Sequence, residues 1–148
     1  VKELAMSNVE KWMTRNPITI EADASMIEAI HLMREKGIRR LPVMDKGRFV
    51  GLVTDRMMKD YAPGKATSLD TWEVHYLLSK TPVREVMNPH PHTVTPDVEL
   101  GVAAQLFLDH KLYGLCVVDF QGNLVGIMSV GDMLRAMVEF CRASGNCK

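Results

Sequence analysis

Leu124-Val-Gly-Ile-Met-Ser-Val-Gly-Asp-Met133 decides the fold, because Phe49-Val-Gly-Leu-Val-Thr-Asp-Arg-Met-Met58 says nearly the same thing 75 residues earlier. Each stretch opens with five residues of strand composition and then presents a hydroxyl, Ser129 or Thr54, at a point where a helix can begin. Working outward, the turns Asp119-Phe-Gln-Gly122 and Asp45-Lys-Gly47 precede these strands. Leu115-Cys-Val-Val-Asp119 and Leu41-Pro-Val-Met44 read as the strands before them, so each copy contains a hairpin. Farther out the pairs fall 74 residues apart: Val43 with Val117, Ala29 with Ala103, Thr19 with Thr93, Pro17 with Pro91 and Met13 with Met87. The register changes by one residue inside the turn, where an extra residue costs little. Two copies are too few for a solenoid. They predict a pair of similar bodies that bury apolar faces, with clefts in which a ligand can sit.

Apolar positions Met26, Ile27, Ile30, Leu32 and Met33 predict a helix capped by Asp23 and ended by Gly37. In the second copy the spacing predicts a helix over 98–110 with Leu100, Ala103, Ala104, Phe107 and Leu108 turned inward, and a last helix from Ser129 to about Cys141. Ile18-Thr-Ile20 and Thr93-Val94 read as short edge strands. Between the copies, Pro63-Gly64 breaks the chain, Ser68 to Thr71 supplies caps, and Trp72, Val74, His75, Leu77 and Leu78 lie on a helix that Thr81-Pro82 stops. The segmentation is therefore 1–66, the first repeat with its N-terminal segment; 67–82, a helical insert; and 83–148, the second repeat with its C-terminal helix.

Formal net charge is zero over 148 residues, which gives no reason to expect nucleic acid or an acidic membrane as partner. No apolar run approaches the roughly 20 residues of a membrane helix. Cys116, Cys141 and Cys147 form an odd set without paired spacing, and Cys116 sits in an apolar strand; the compartment reads as reducing, hence cytoplasmic. A first residue of Val reads as a trimmed chain. The five His form no metal set, His90-Pro-His92 being the one close pair, and no nucleophile–base pattern or phosphate-loop fingerprint is present. The chain therefore does not read as an enzyme.

Two constellations carry chemistry. Ser129, Gly131 and Asp132 put a hydroxyl at a helix start, a carboxylate three residues on, and a glycine between them. Ser-x-x-Asp is close to a capping box, which is its structural explanation. The same geometry serves a nucleotide: free N–H groups and the helix dipole favour phosphate, and a carboxylate in the first turn accepts from a ribose diol. In the first copy Thr54 keeps the hydroxyl, but Met57 replaces the carboxylate. The second constellation is Arg39-Arg40, just ahead of a buried strand, where the matching residues are Tyr113 and Gly114. A solvated basic pair explains it structurally; Arg forks are also preferred phosphate ligands.

The duplicated pattern, Thr19, Leu41-Pro-Val43, Asp45, Gly47, Val50-Gly51 and Thr54, then Thr93, Leu115, Val117, Asp119, Gly122, Val125-Gly126, Ser129 and Asp132, resembles the CBS domain. The insert further resembles CBS pairs of the acetoin-utilisation type. The resemblance implies an α/β (α+β) fold of two βαββα units in a pseudo-two-fold Bateman module, pairing into homodimers. It implies no required cofactor, but AMP, ADP, ATP or S-adenosylmethionine as a regulatory ligand between the repeats, with occupancy passed to an effector domain or partner. Carried onto this sequence, it puts the ribose carboxylate on Asp132, hydroxyls on Ser129 and Thr54, and phosphate contacts on Arg39, Arg40 and Arg56. Adenine-facing walls fall on Ile18, Thr19, Leu41 and Pro42, and on Val94, Leu115 and Cys116. Lys111 and Cys116 depart from Gly37 and Pro42, as Met57 does from Asp132, which points to one nucleotide per chain. The alternative is a dimerisation or interaction scaffold with empty clefts.

Overall fold

The computed structural model describes residues 7–61 and 70–145, so Pro63-Gly64, Ser68 and Cys147 lie outside the described residues. In chain order the elements are α1 (Val9–Trp12), β1 (Thr14–Arg15), β2 (Ile20–Glu21), α2 (Met26–Lys36), β3 (Arg40–Asp45), β4 (Arg48–Thr54) and α3 (Asp55–Tyr61). After these come α4 (Thr71–Lys80), a 3-10 turn (Val83–Glu85), β5 (Thr93–Val94), α5 (Leu100–His110), β6 (Gly114–Val118), β7 (Leu124–Ser129) and α6 (Val130–Ala143). Both predicted βαββα bodies are present, β2-α2-β3-β4-α3 and β5-α5-β6-β7-α6.

The chain forms two compact units. The first is Ile18–Pro91; the second joins Val1–Pro17 to His92–Lys148. In the first, β2 lies parallel to β3, and β3 antiparallel to β4. Its core takes Met26, Ala29 and Met33 from α2, Leu41, Val43 and Val53 from the sheet, and Leu78 from α4. The second unit orders its strands β1-β7-β6-β5, and Leu115, Val117 and Met128 meet Leu100, Ala103 and Phe107 of α5. Leu41 and Leu115, matched by the repeat, are both fully buried; burying a Leu side chain is worth about 1.5–3 kcal/mol.

The compact units cut across the segmentation at 1–66, 67–82 and 83–148. β1, in the leading segment of the first repeat, pairs antiparallel with β7 of the second, Thr14 opposite Ile127. Reciprocally, Asn88, in the leading segment of the second repeat, exchanges backbone hydrogen bonds with Leu52 of the first, at 3.0 and 2.8 Å. Glycine makes room for both crossings. A Cβ on Gly126 would stand 2.6 Å from Met13 Sδ and 2.9 Å from the Thr14 carbonyl oxygen. A Cβ on Gly51 would stand 2.7 Å from the Asn88 carbonyl oxygen and 2.8 Å from Met87 Sδ. Val9 and Met13 accordingly belong to the second unit's core, and Val83 to the first's.

Local details correct the reading in several places. Ser25, not Asp23, caps α2: Glu28 N donates to Ser25 Oγ and Ser25 N to Glu28 Oε2, a full capping box. Asp23 instead pairs with Arg84 at 3.0 Å, tying the leading segment of the second repeat to the first unit. Asp45 shares the same guanidinium, and these carboxylates, Asp23 first, hold the Arg84 pKa above its usual value. Leu108, expected inside, is 73% exposed, because it falls on the outer side of α5. Gly37 ends α2 with φ 65°, as expected, and Lys111 ends α5 in the same left-handed conformation, φ 54°. The insert helix α4 is capped by Asp70 and packs Leu78 and Val74 against the first unit's core, leaving Trp72 exposed.

Candidate functional site

The sheet of the second unit gathers one group of candidate residues. Strand β5 runs parallel to β6 with Thr93 opposite Cys116, and Gly114 of β6 lies opposite Ser129 at the end of β7. Side chains alternate along a strand, so Leu115 and Val117 enter the core while Cys116 between them points to the other face. Cys116 is fully buried yet outside the core cluster. Val94 is buried as well, among the core residues.

Ser129 ends β7 and caps α6. Its extended backbone, φ −102° and ψ 166°, turns the hydroxyl back over the first helical turn, where Asp132 N donates to Oγ at 3.2 Å. Asp132 returns the bond: its Oδ2 accepts from Ser129 N at 2.8 Å and from Ser129 Oγ at 3.1 Å. The capping box is thus real, with Asp in place of the usual Glu. A cap alone does not require burial, yet Asp132 is 4% exposed and, with Thr81, one of two buried polar residues among those described. Its Oδ1 accepts from Arg135 Nη2, one turn along the helix. A Cβ on Gly131, in the first turn of α6, would be in ordinary contact with Ser129 Oγ at 3.5 Å and Arg135 Nη1 at 3.8 Å.

The first unit gathers the other group. Arg40 lies opposite Thr54, Leu41 opposite Val53 and Pro42 opposite Leu52. Leu41 and Pro42 are fully buried, Thr19 is half-buried and Ile18 is exposed just before β2. Arg39 is exposed and its carbonyl accepts from Asp55 N at 2.9 Å, which fixes the strand-to-helix corner. Thr54 Oγ1 accepts from Met57 N at 3.1 Å, so the cap survives without a reciprocal carboxylate. Arg56 is exposed in the first turn of α3. Asp55 holds Lys59 at 3.9 Å, so the acid at this helix start is already engaged by a neighbouring lysine.

Arg135 is the residue sequence reading missed. The available signal was its spacing of three from Asp132, which places the two on one helix face. His92, read with His90, instead stacks on His110 with ring centroids 4.0 Å apart. Among the described residues no three His, Cys, Asp or Glu side chains converge to hold a metal, Cys116 and Cys141 form no disulfide, and no helix is long and apolar enough to cross a membrane.

The sequence model of the CBS domain matches residues 6–64 and again 83–139. The CBS domain-containing protein YhcV of Bacillus subtilis is 32% identical over 130 residues, which are 86% of this chain and 84% of that one. Chloroplastic CBSX2 of Arabidopsis thaliana is 33% identical over 150 residues; the match takes in 89% of this chain and 63% of CBSX2. A solved structure of CBSX2 in complex with AMP superposes with a TM-score of 0.74 at 32% identity, covering 90% of this chain and 97% of that one. The Vibrio cholerae protein AcuB, whose name attaches it to acetoin utilisation, superposes with a TM-score of 0.79 at 27% identity, covering 97% and 98%.

Proposed function

This chain belongs to the CBS-domain family and carries the domain twice, and from that premise we propose that it is a regulatory module that binds an adenine nucleotide and passes occupancy to an effector domain or partner. The observation that carries this is the buried carboxylate of Asp132 at a helix start, with one oxygen tied into the cap and the other held by a side chain that is largely in solvent. A carboxylate so placed accepts from a ribose diol. CBSX2, similar over nine-tenths of this chain, was solved with AMP.

In this reading Ser129, Gly131 and Asp132 hold the ribose. In the other unit Arg39, Arg40 and Arg56, with Thr54 beside them, are the groups that can take phosphate. Exposed Ile18 and half-buried Thr19, and the backbone of Leu41, Pro42, Val94, Leu115 and Cys116, whose side chains are buried, are the parts offered to adenine. Met57 leaves the first helix start without a ribose acceptor, so one nucleotide binds per chain. The ligand regulates and is not turned over; no cofactor is required. Reduced Cys116 and Cys141 suit the cytoplasm.

Two copies of the chain pair through α6, whose Leu134, Met137 and Val138 are about half exposed or more, a cost that burial against a second copy removes. Of the other methionines that pairing through α3 and α6 could use, Met58 is buried in the first unit's core and Met57 and Met133 are half-buried. Neither nucleic acid nor membrane is a partner.

Isothermal calorimetry with AMP, ADP, ATP and S-adenosylmethionine tests the reading, together with thermal melts. Saturation at 100 times Kd adds roughly 2.7 kcal/mol, a rise on the order of 5–10 °C in a chain of this size. No heat and no shift with any of the four at millimolar concentration would leave the scaffold, whose mark is a dimer of the 16.6 kDa chain in sedimentation regardless of nucleotide.

A further inference from the structure

The two oxygens of Asp132 are not equivalent. Oδ2 is committed to the cap through Ser129 N and Ser129 Oγ. Oδ1 is committed to Arg135, whose side chain is 67% exposed while that of Asp132 is 5% exposed. The guanidinium does not stretch away into solvent. Its Nη1 stands 3.8 Å from where a Cβ on Gly131 would be, so it lies across the first turn of α6. A cation there sits at the positive end of the helix dipole; Asp132, not the helix, keeps it in place. The first repeat has no such arrangement, since Met57 and Asp60 stand where Asp132 and Arg135 do.

We infer that Arg135 is a specificity-determining residue of the nucleotide site: it occupies the outward oxygen of Asp132 until a ribose displaces it, and it thereby selects phosphorylated ligands over neutral nucleosides. The inference rests on the nucleotide reading above. A ribose diol brings two hydroxyl donors to Oδ1 and must first remove the Arg135 N–H. An ion pair with one largely exposed partner is weak, so the exchange is within reach of an ordinary ligand. The released guanidinium stays tethered beside the helix start. A neutral nucleoside offers it nothing there, whereas a phosphate offers the guanidinium an anion at the positive end of the helix dipole. Arg135 therefore acts against adenosine and not against AMP.

Calorimetric titration of the parent, Arg135→Ala, Arg135→Lys and Asp132→Asn with adenosine and with AMP decides it. In Arg135→Ala, adenosine should bind about fivefold tighter, the limit set by an exposed pair, while AMP gains nothing. The preference for AMP then shrinks about fivefold, and Arg135→Lys keeps most of it. Asp132→Asn should weaken both ligands. Circular dichroism and thermal melts establish that each variant is folded, which the exposure of Arg135 favours. An unchanged preference in Arg135→Ala, or equal losses of both ligands, overturns the inference while leaving the nucleotide reading standing. Undiminished binding of both ligands by Asp132→Asn does the same. Absence of binding by parent and Arg135→Ala alike overturns the nucleotide reading itself. Binding by Arg135→Ala but not by the parent supports the inference in its strongest form.

Discussion

The starts of α3 and α6 are the same structure with different chemistry. Thr54 and Ser129 both end a strand and both accept a backbone N–H from three residues on, at 3.1 and 3.2 Å. At that third residue the first repeat has half-buried Met57 and the second has buried Asp132. Capping needs only the hydroxyl; α3 manages with it. Asp132 therefore does something that capping leaves over. Its burial, its second oxygen and its partner Arg135 are that remainder, and under the nucleotide reading proposed above they assign the ribose to the second repeat.

The largest effect should come from taking that carboxylate away. Asp132→Ala is expected to weaken AMP binding by roughly 1.5–3 kcal/mol, the range for hydrogen bonds to a charged group, and Thr54→Ala by much less; calorimetry giving equal losses would break the asymmetry. Asp132→Ala also removes half of a capping box, so the ligand-free melt of Asp132→Asn, whose amide oxygen can still accept from Ser129 N, is the control.

The glycines test whether the two repeats are alike where they are joined. Gly126→Ala and Gly51→Ala each drive a Cβ onto a backbone carbonyl of the crossing segment, at 2.9 and 2.7 Å. Both should destabilise by about 1–3 kcal/mol in urea denaturation, the usual penalty for overpacking. Here, unlike at the helix starts, similar losses are expected. If one variant were neutral, that crossing would not be held as tightly as its counterpart.

A smaller effect concerns the helix ends. Gly37 and Lys111 hold the same left-handed station, but only glycine does so without a Cβ penalty. Lys111→Gly should stabilise by up to about 1 kcal/mol, whereas Gly37→Ala should destabilise by a similar amount; a thermal melt of Lys111→Gly below the parent would show that the lysine side chain has a use.

Smallest, and most pointed, is Met57→Asp. It supplies the first repeat with the missing capping-box acid and should stabilise by about 0.3–1 kcal/mol through the helix dipole. If the carboxylate is what the first repeat lacks, the stoichiometry of AMP in calorimetry should move from one toward two per chain. A stabilised variant that still binds one nucleotide would place the difference elsewhere, in Arg135 or Pro42.

Much of this was legible locally. The repeat, the hairpins, the hydroxyl at each helix start and the left-handed end of α2 follow from spacing and residue type, because turns, caps and strand alternation are set by neighbours along the chain. Asp132, the carboxylate proposed to hold a ribose, stood out by comparing one copy with the other. What the chain could not announce was which body each leading segment would join. A two-residue strand such as β1 has no periodicity to read, and its partner is chosen by an open ladder on β7 and by the space that Gly126 leaves, more than 110 residues away. Nor could it announce Arg135, an ordinary surface residue in the sequence, until folding buried Asp132 and left one of its oxygens in need of a donor.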